Sequence, residues 1–157
     1  MMIVQLEDHN IDAFTRLGGE LIEQSQFRIT GPEYDHEHSL ATIRNITERP
    51  DYYIRGALDD SGVPCGFVFG HVVHFYFAPV NCAYEDGWYV RPGVSGRLKI
   101  GIALMRGFVR WALDDMKAVM VQSGDVADID KEAVWAAYKA MGFTKFGSIY
   151  KYSRGLV

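Results

Sequence analysis

A chain of 157 residues with a formal charge of −4 has the length of one domain with a proper core, and its charge calls for no nucleic acid. Hydrophobic residues at 48% exclude a disordered chain, while no apolar run reaches the roughly 18 residues that a membrane span needs. The N-terminus, MMIVQLEDHN, has no basic region or long apolar stretch, and two cysteines, Cys65 and Cys82, are too few for a disulfide framework or a zinc site; the expectation is one soluble cytoplasmic domain over residues 1–157, without a metal.

Ile3 to Leu6 reads as a short first strand. From Asp8 the apolar residues recur at Ile11, Phe14, Leu17, Leu21 and Ile22, a helical spacing with Asp8 or Asn10 as its cap. Gly18-Gly19 weakens that helix by about 1 kcal/mol per glycine, so a bend is expected there. After TGPEYD, Asp35 caps a second helix carrying Leu40, Ile43 and Ile46, which ends at Arg49-Pro50. DYYIRGAL reads as a strand, DDSG as a turn and VPCGFVFGHVVHFYF, residues 63–77, as a long strand, together a hairpin. CAYEDGWYV, residues 82–90, is another strand. The helix behind it places Leu98, Ile102, Met105, Val109 and Ala112 on one stripe, with Lys99, Arg106 and Arg110 opposite. AVMVQS at 118–123 reads as a buried strand. DIDKEAVWAAYKAMGF is a capped helix with Val134, Ala137, Tyr138 and Met141 inward and Gly142 as its stop. FTKFGSIYKYS closes the chain as one or two strands. The order β–α–α–β–β–β–α–β–α–β predicts a single α/β or α+β domain around a mixed sheet.

One stretch asks for a ligand. YVRPGVSGRLKIGIALMRGF, residues 89–108, passes from strand to helix through glycines 93, 96 and 101, with Ser95, Arg97 and Lys99 beside them. A helix start leaves its first amides unpaired and carries partial positive charge, so it suits an anion, a phosphate above all. No Asp or Glu occurs from Tyr89 to Trp111 to compete for that place. Taken alone, the turn fits a phosphate site or a plain strand-to-helix connection. It is neither a P-loop nor a G-x-G-x-x-G fingerprint.

Three elements together, in order, resemble the GNAT-type N-acetyltransferase superfamily. They are WYVRP at 88–92, GRLKIGIALMRGFVRWA at 96–112 and AAYKAMGF at 136–143. The resemblance covers about residues 51 to 154. One departure stands out. The family's loop reads Q/R-x-x-G-x-G/A; with its last glycine on Gly101, Gly96 holds the Gln/Arg position and Lys99 the first glycine, and the turn is about one residue longer.

The resemblance implies a twisted mixed sheet splayed between its fourth and fifth strands, with helices on both faces. It implies transfer of an acetyl group from acetyl-CoA to a primary amine of a small molecule or a protein. The pantetheine arm would lie in the splay beside the backbone of Tyr89 and Val90, and the diphosphate on the turn and first helical residues Arg97, Leu98, Lys99, Ile100, Gly101 and Ile102. An amine of pKa about 10.4 is protonated at neutral pH and needs a base. Glu85 and Asp86 are on offer; adjacent strand residues face opposite sides, so only one is expected to point at the substrate, and Glu85 is favoured by its distance from the pantetheine-contacting valine. Tyr138, four residues before Gly142, stands where the family's acid tyrosine does, to protonate the departing sulfur. The bland alternatives are solvent-facing strand acids and a core tyrosine.

Other residues bear on the same chemistry. His36 and His38 sit two apart, wrong for one helical face, and read as a solvated helix start. His38, Glu33 and the EQSQF segment at 23–27 could border the acceptor pocket. His71 and His74 read as core or edge histidines, and Tyr52, Tyr53, Phe75, Tyr76, Phe77, Trp88 and Tyr89 mostly as sheet core. A homodimer fits the superfamily's habit. Two other readings remain: a non-catalytic acyl-CoA-binding or protein-contact member of the fold, and an unrelated α/β enzyme holding a nucleotide phosphate at the same turn.

Overall fold

The computed structural model describes residues 1–25, 27–31, 33–124 and 131–147. Its elements are β1 (Met2–Gln5), α1 (Ile11–Glu23), α2 (Phe27–Thr30), α3 (His36–Thr47), β2 (Tyr52–Leu58), β3 (Pro64–His74), β4 (Asn81–Val90), α4 (Arg97–Arg110, prolonged by a π turn at Trp111–Asp115), β5 (Ala118–Gln122) and α5 (Lys131–Ala140). The sheet order is β1-β2-β3-β4-β5. The first three junctions are antiparallel, and β5 returns through α4 to lie parallel to β4. A mixed sheet interleaved with helices is the architecture expected, with the one-turn α2 added. The closing strand is not formed over 143–147, and the rest of that segment lies outside the described residues. No helix among the described residues is long and apolar enough to cross a membrane.

Each face of the sheet carries its own core. On one, Ile11, Phe14 and Leu17 of α1 and Leu40 and Ile46 of α3 pack on Ile54, Phe67 and Tyr89. On the other, Ile100, Leu104, Met105 and Phe108 of α4 and Tyr138 of α5 pack on Ala57, Val68, Val72, Ala83 and Val90. Alternation along the strands divides these sets, Phe67 from Val68 and Tyr89 from Val90.

Several local expectations need correction. α1 runs unbroken through Gly18-Gly19; the ring of Tyr34 lies over them, and a Cβ on Gly19 would sit 2.9 Å from its Cε1. Asn10 occupies the N-cap position but does not cap: its side chain accepts from the Glu7 amide and donates to the Gln5 carbonyl, bracing the β1–α1 turn instead. Asp35 does cap α3, accepting from the His38 amide at 2.9 Å. The buried stripe of α4 is Ile100, Gly101, Leu104, Met105 and Phe108, continued by Ala112; Leu98 is 54% exposed and Ile102 only half-buried. Steps of four from Ile100 keep that side on the sheet, while Leu98 in the first turn faces a cleft. The long strand stops at His74, and Tyr76 and Phe77 stand 95% and 90% exposed at the hairpin tip rather than in the core.

Candidate active site

β4 and β5 stay paired only from Asn81↔Ala118 to Tyr84↔Gln122. β5 then ends, while β4 runs on to Val90. Residues 85–90 therefore have β3 on one side and, where β5 would have been, a gap. A bulge marks the parting: Gly70 pairs with Glu85 and Phe69 with Gly87, leaving Asp86 as the extra residue. A bulge re-aims side chains beside it. Glu85 turns to the α5 side and Asp86 to the α1 side, where its carboxylate meets His71 Nδ1 at 2.6 Å. His71 is stacked between Tyr52 and Tyr84. Glu85 and Asp86 face opposite sides, as adjacent strand residues do, and both line the resulting cleft of ≈ 900 Å³.

On the α5 side three hydroxyl and carboxylate groups converge. Ser123, the first residue past β5, donates from Oγ to Glu85 Oε2 at 2.6 Å. The same oxygen lies 2.6 Å from the Tyr138 hydroxyl, which also reaches the Gly124 carbonyl at 3.1 Å. Tyr138 is held by the way α5 ends. Gly142, at φ 87°, takes the left-handed conformation that lets the amide of Phe143 bond to the Tyr138 carbonyl and its own amide to that of Lys139, both at 3.0 Å. This is a Schellman closure, and its usual apolar contact is the Tyr138–Phe143 ring pair at 5.2 Å. Trp88 also packs edge-on against Tyr138, at 5.3 Å. Its indole is fixed in turn, donating to the Gly101 carbonyl at 3.1 Å. A Cβ at Gly101 would meet that indole at 3.1 Å, which explains a glycine in the second turn of α4.

The helix start forms the cleft's other end. Gly96 is the N-cap residue, at φ 71°. The amides of Arg97 and Ile100 bond to Val94 and Gly96 carbonyls, so within the first turn Leu98 and Lys99 carry the amides that a helix start leaves for an outside acceptor. No acidic residue occupies this turn. The Arg97 guanidinium folds back, Nε donating to the Val90 carbonyl at 3.0 Å. Tyr89, Val90, Arg97, Leu98 and Gly101 all line the cleft together with Glu85 and Tyr138. Lys99, Ile100 and Ile102 do not: Lys99 is exposed, Ile100 is buried in the core and Ile102 is half-buried.

On the α1 side Phe27, Glu33 and His38 border the cleft as expected of an acceptor wall. His36 turns away to Asp12, at 2.8 Å, and to the Tyr34 hydroxyl. Among the described residues no three His, Cys, Asp or Glu side chains are grouped to hold a metal. At the far end of β4, Arg91 makes a two-pronged contact with Glu20 of α1, at 2.9 and 2.6 Å, and Tyr89 adds its hydroxyl to the same carboxylate. The hydrogen bond from Arg91 holds the Glu20 carboxyl below the usual glutamate range. Burial, helped by the Glu20 charge, pushes the Tyr89 phenol up.

The sequence shows no sign of the contacts of Ser123, the Asp86–His71 pair or the Glu20–Arg91 link, and it reads Trp88 mostly as sheet core. Each depends on a contact between elements far apart in the chain, and only the aromatic Trp88 beside a glycine-bearing helix offered any signal.

The family model described as "Acetyltransferase (GNAT) family" matches residues 19–143. No curated protein matches the chain. Among solved structures it is similar to an aminoglycoside N-acetyltransferase, AAC(6')-Iy, in complex with CoA, at 18% identity over 98% of this chain and 94% of that one, with a TM-score of 0.75. The aminoglycoside 6'-N-acetyltransferase AAC(6')-IG from Acinetobacter haemolyticus gives 15% identity, full coverage of both chains and 0.72. A ribosomal-protein-alanine N-acetyltransferase from Brucella melitensis biovar Abortus 2308 gives 15% identity over 97% and 99%, and 0.69. At such identities these neighbours speak for the fold alone; the match of the family model across most of the sequence goes further. The chain belongs to the acetyltransferase (GNAT) family and is an acyltransferase.

Proposed function

We propose that the protein transfers the acetyl group of acetyl-CoA to a primary amine of a small molecule or a protein. One observation carries this: Glu85 and Tyr138 are joined through Ser123 at the parting of β4 and β5, in the same cleft as an acid-free helix start. The fit to acetyl-CoA is physical. Beside Tyr89 and Val90 the edge of β4 faces the gap that β5 leaves, where an extended pantetheine arm could lie as a further strand; the Val90 carbonyl there already accepts from Arg97. The first turn of α4 offers the Leu98 and Lys99 amides, with the Arg97 and Lys99 charges close by, to a diphosphate; Ile100, Gly101 and Ile102 continue that turn.

The residues divide the work as follows. Glu85 accepts a proton from the acceptor nitrogen. A main-chain amide near Tyr89–Val90 donates to the carbonyl oxygen as charge develops on it. Tyr138 donates its proton to the departing sulfur. Trp88 and Phe143 keep the phenol in place through both events.

Free-thiol release over a panel of amines tests the reading, with the two acceptor types named for the structural relatives, an aminoglycoside and a ribosomal-protein alanine, included first. Tyr138→Phe is expected to lower turnover about 100-fold, the lower range for general acid catalysis, and to leave stabilisation by acetyl-CoA in a thermal melt nearly unchanged. Glu85→Gln is expected to flatten the rise of rate with pH on the acid limb. Stabilisation by acetyl-CoA with no thiol release from any amine would favour a binding protein instead, and indifference to acetyl-CoA at millimolar concentration would remove the cofactor assignment.

A further inference from the structure

We infer that Ser123 relays a proton between Glu85 and Tyr138, so that the base and the acid of the reaction form one hydrogen-bonded unit. The inference rests on the roles given to those two residues above. Its basis is geometric. Ser123 Oγ lies 2.6 Å from Glu85 Oε2 and 2.6 Å from the Tyr138 oxygen. Both distances fall at the short end for oxygen-to-oxygen hydrogen bonds, which run from about 2.5 to about 3.0 Å. The three groups come from three places in the chain, the β4 bulge, the first residue beyond β5 and the last turn of α5. Ser123 is half-buried and Tyr138 only 7% exposed.

A serine hydroxyl has one proton to give and two lone pairs to receive with, and it rotates freely. It can therefore bridge in either direction. With Glu85 ionised, Ser123 donates to the carboxylate and its lone pairs face Tyr138. With Glu85 protonated, Glu85 donates to Ser123 and Ser123 donates to the tyrosine oxygen. While Tyr138 holds its proton, its donation to the Gly124 carbonyl at 3.1 Å keeps the phenol near the bridge.

Each turnover uses the bridge once, from Glu85 to Tyr138. The acceptor ammonium first loses one proton to solvent. Its nitrogen lone pair then forms the C–N bond to the thioester carbonyl, and the nitrogen gives a second proton to Glu85. The C–S bond breaks with its electron pair on sulfur, and Tyr138 protonates that sulfur. The products are the amide and the free thiol, with Glu85 left as a carboxylic acid and Tyr138 as a phenolate. A shift of two protons, Glu85 to Ser123 and Ser123 to Tyr138, restores both groups without solvent entering the cleft. Ordinary pKa values of about 4.3 for a glutamic acid and about 10 for a tyrosine make this shift run downhill.

The test compares Ser123→Ala and Ser123→Thr with the parent enzyme, reading kcat, KM for acetyl-CoA and the rate in mixtures of light and heavy water. Ser123→Ala is expected to lose about tenfold in kcat, below the full effect of an acid or base, with KM for acetyl-CoA within about twofold. In the parent, rate should curve against deuterium fraction because several protons move together; in Ser123→Ala it should become a straight line. Ser123→Thr, which keeps the hydroxyl, should recover both the rate and the curvature. Parent-like kcat and curvature in Ser123→Ala overturn the relay, and so does a Ser123→Thr enzyme as slow as Ser123→Ala. Should Tyr138→Phe and Glu85→Gln turn over normally, the roles beneath the relay are what fail.

Discussion

Arg91 joins the end of β4 to α1 through Glu20 and reaches the Pro64 carbonyl besides. The consequence for stability has a definite sign. The Glu20 carboxyl titrates lower in the folded chain than in the unfolded one, chiefly because Arg91 donates to its ionised form. Its contribution is therefore fully present above the ordinary glutamate range and disappears as pH falls through the depressed folded value. Glu20→Gln should melt at a lower temperature than the parent at neutral pH, and should lose less on acidification from about pH 6 to about pH 3, measured by circular dichroism. Equal losses in the two proteins would show that the link contributes nothing. Both cysteines are buried and free, and burial pushes the Cys65 thiol up, so it is no candidate nucleophile.

Among the elements, α5 shows how a helix end positions a side chain, the Tyr138 phenol. Gly142 closes the helix in a conformation that costs a residue with a Cβ about 1–2 kcal/mol. Gly142→Ala should lower the urea midpoint by that measure and reduce turnover as well, because Phe143 and Tyr138 share the same turn. A loss of stability with kcat untouched would separate the closure from the position of the phenol. This element was legible in the sequence: AAYKAMGF displays both the tyrosine and the stop, since a helical stripe ending in glycine is a local pattern. α4 was legible as a helix but not in its rotation, because Leu98 and Ile102 are as apolar as Ile100 and Leu104, and only the cleft and the sheet decide which side is buried. The end of β3 was misjudged for a similar reason: Phe75, Tyr76 and Phe77 have strand character, yet the hairpin turns before them. The bulge at Asp86 and the meeting of Ser123 with Tyr138 had no local signature at all. The first needs β3 as its ruler, and the second needs α5 to fold back past β5.

For the whole molecule, the sheet separates two cores, and the α4 side is built around Phe108. Its ring is fully buried, lies 5.9 Å from Tyr53 and 5.8 Å from Trp111, and fills the space in front of Gly70. Phe108→Ala should cost about 3–5 kcal/mol in a denaturant titration, the range for deleting a buried aromatic ring. A loss under about 1 kcal/mol would mean that the neighbours collapse into the space instead.

The short paired stretch between β4 and β5 works like the rivet of a pair of tongs. Four residue pairs hold the two arms together, and Asn81 fastens that end further by donating to the Met116 carbonyl at 2.8 Å. The jaws, with Glu85 on one arm and Ser123 on the other, open only as far as this rivet permits. Their bite is thus governed from the opposite end of the strand, at side chains that never approach a reacting atom.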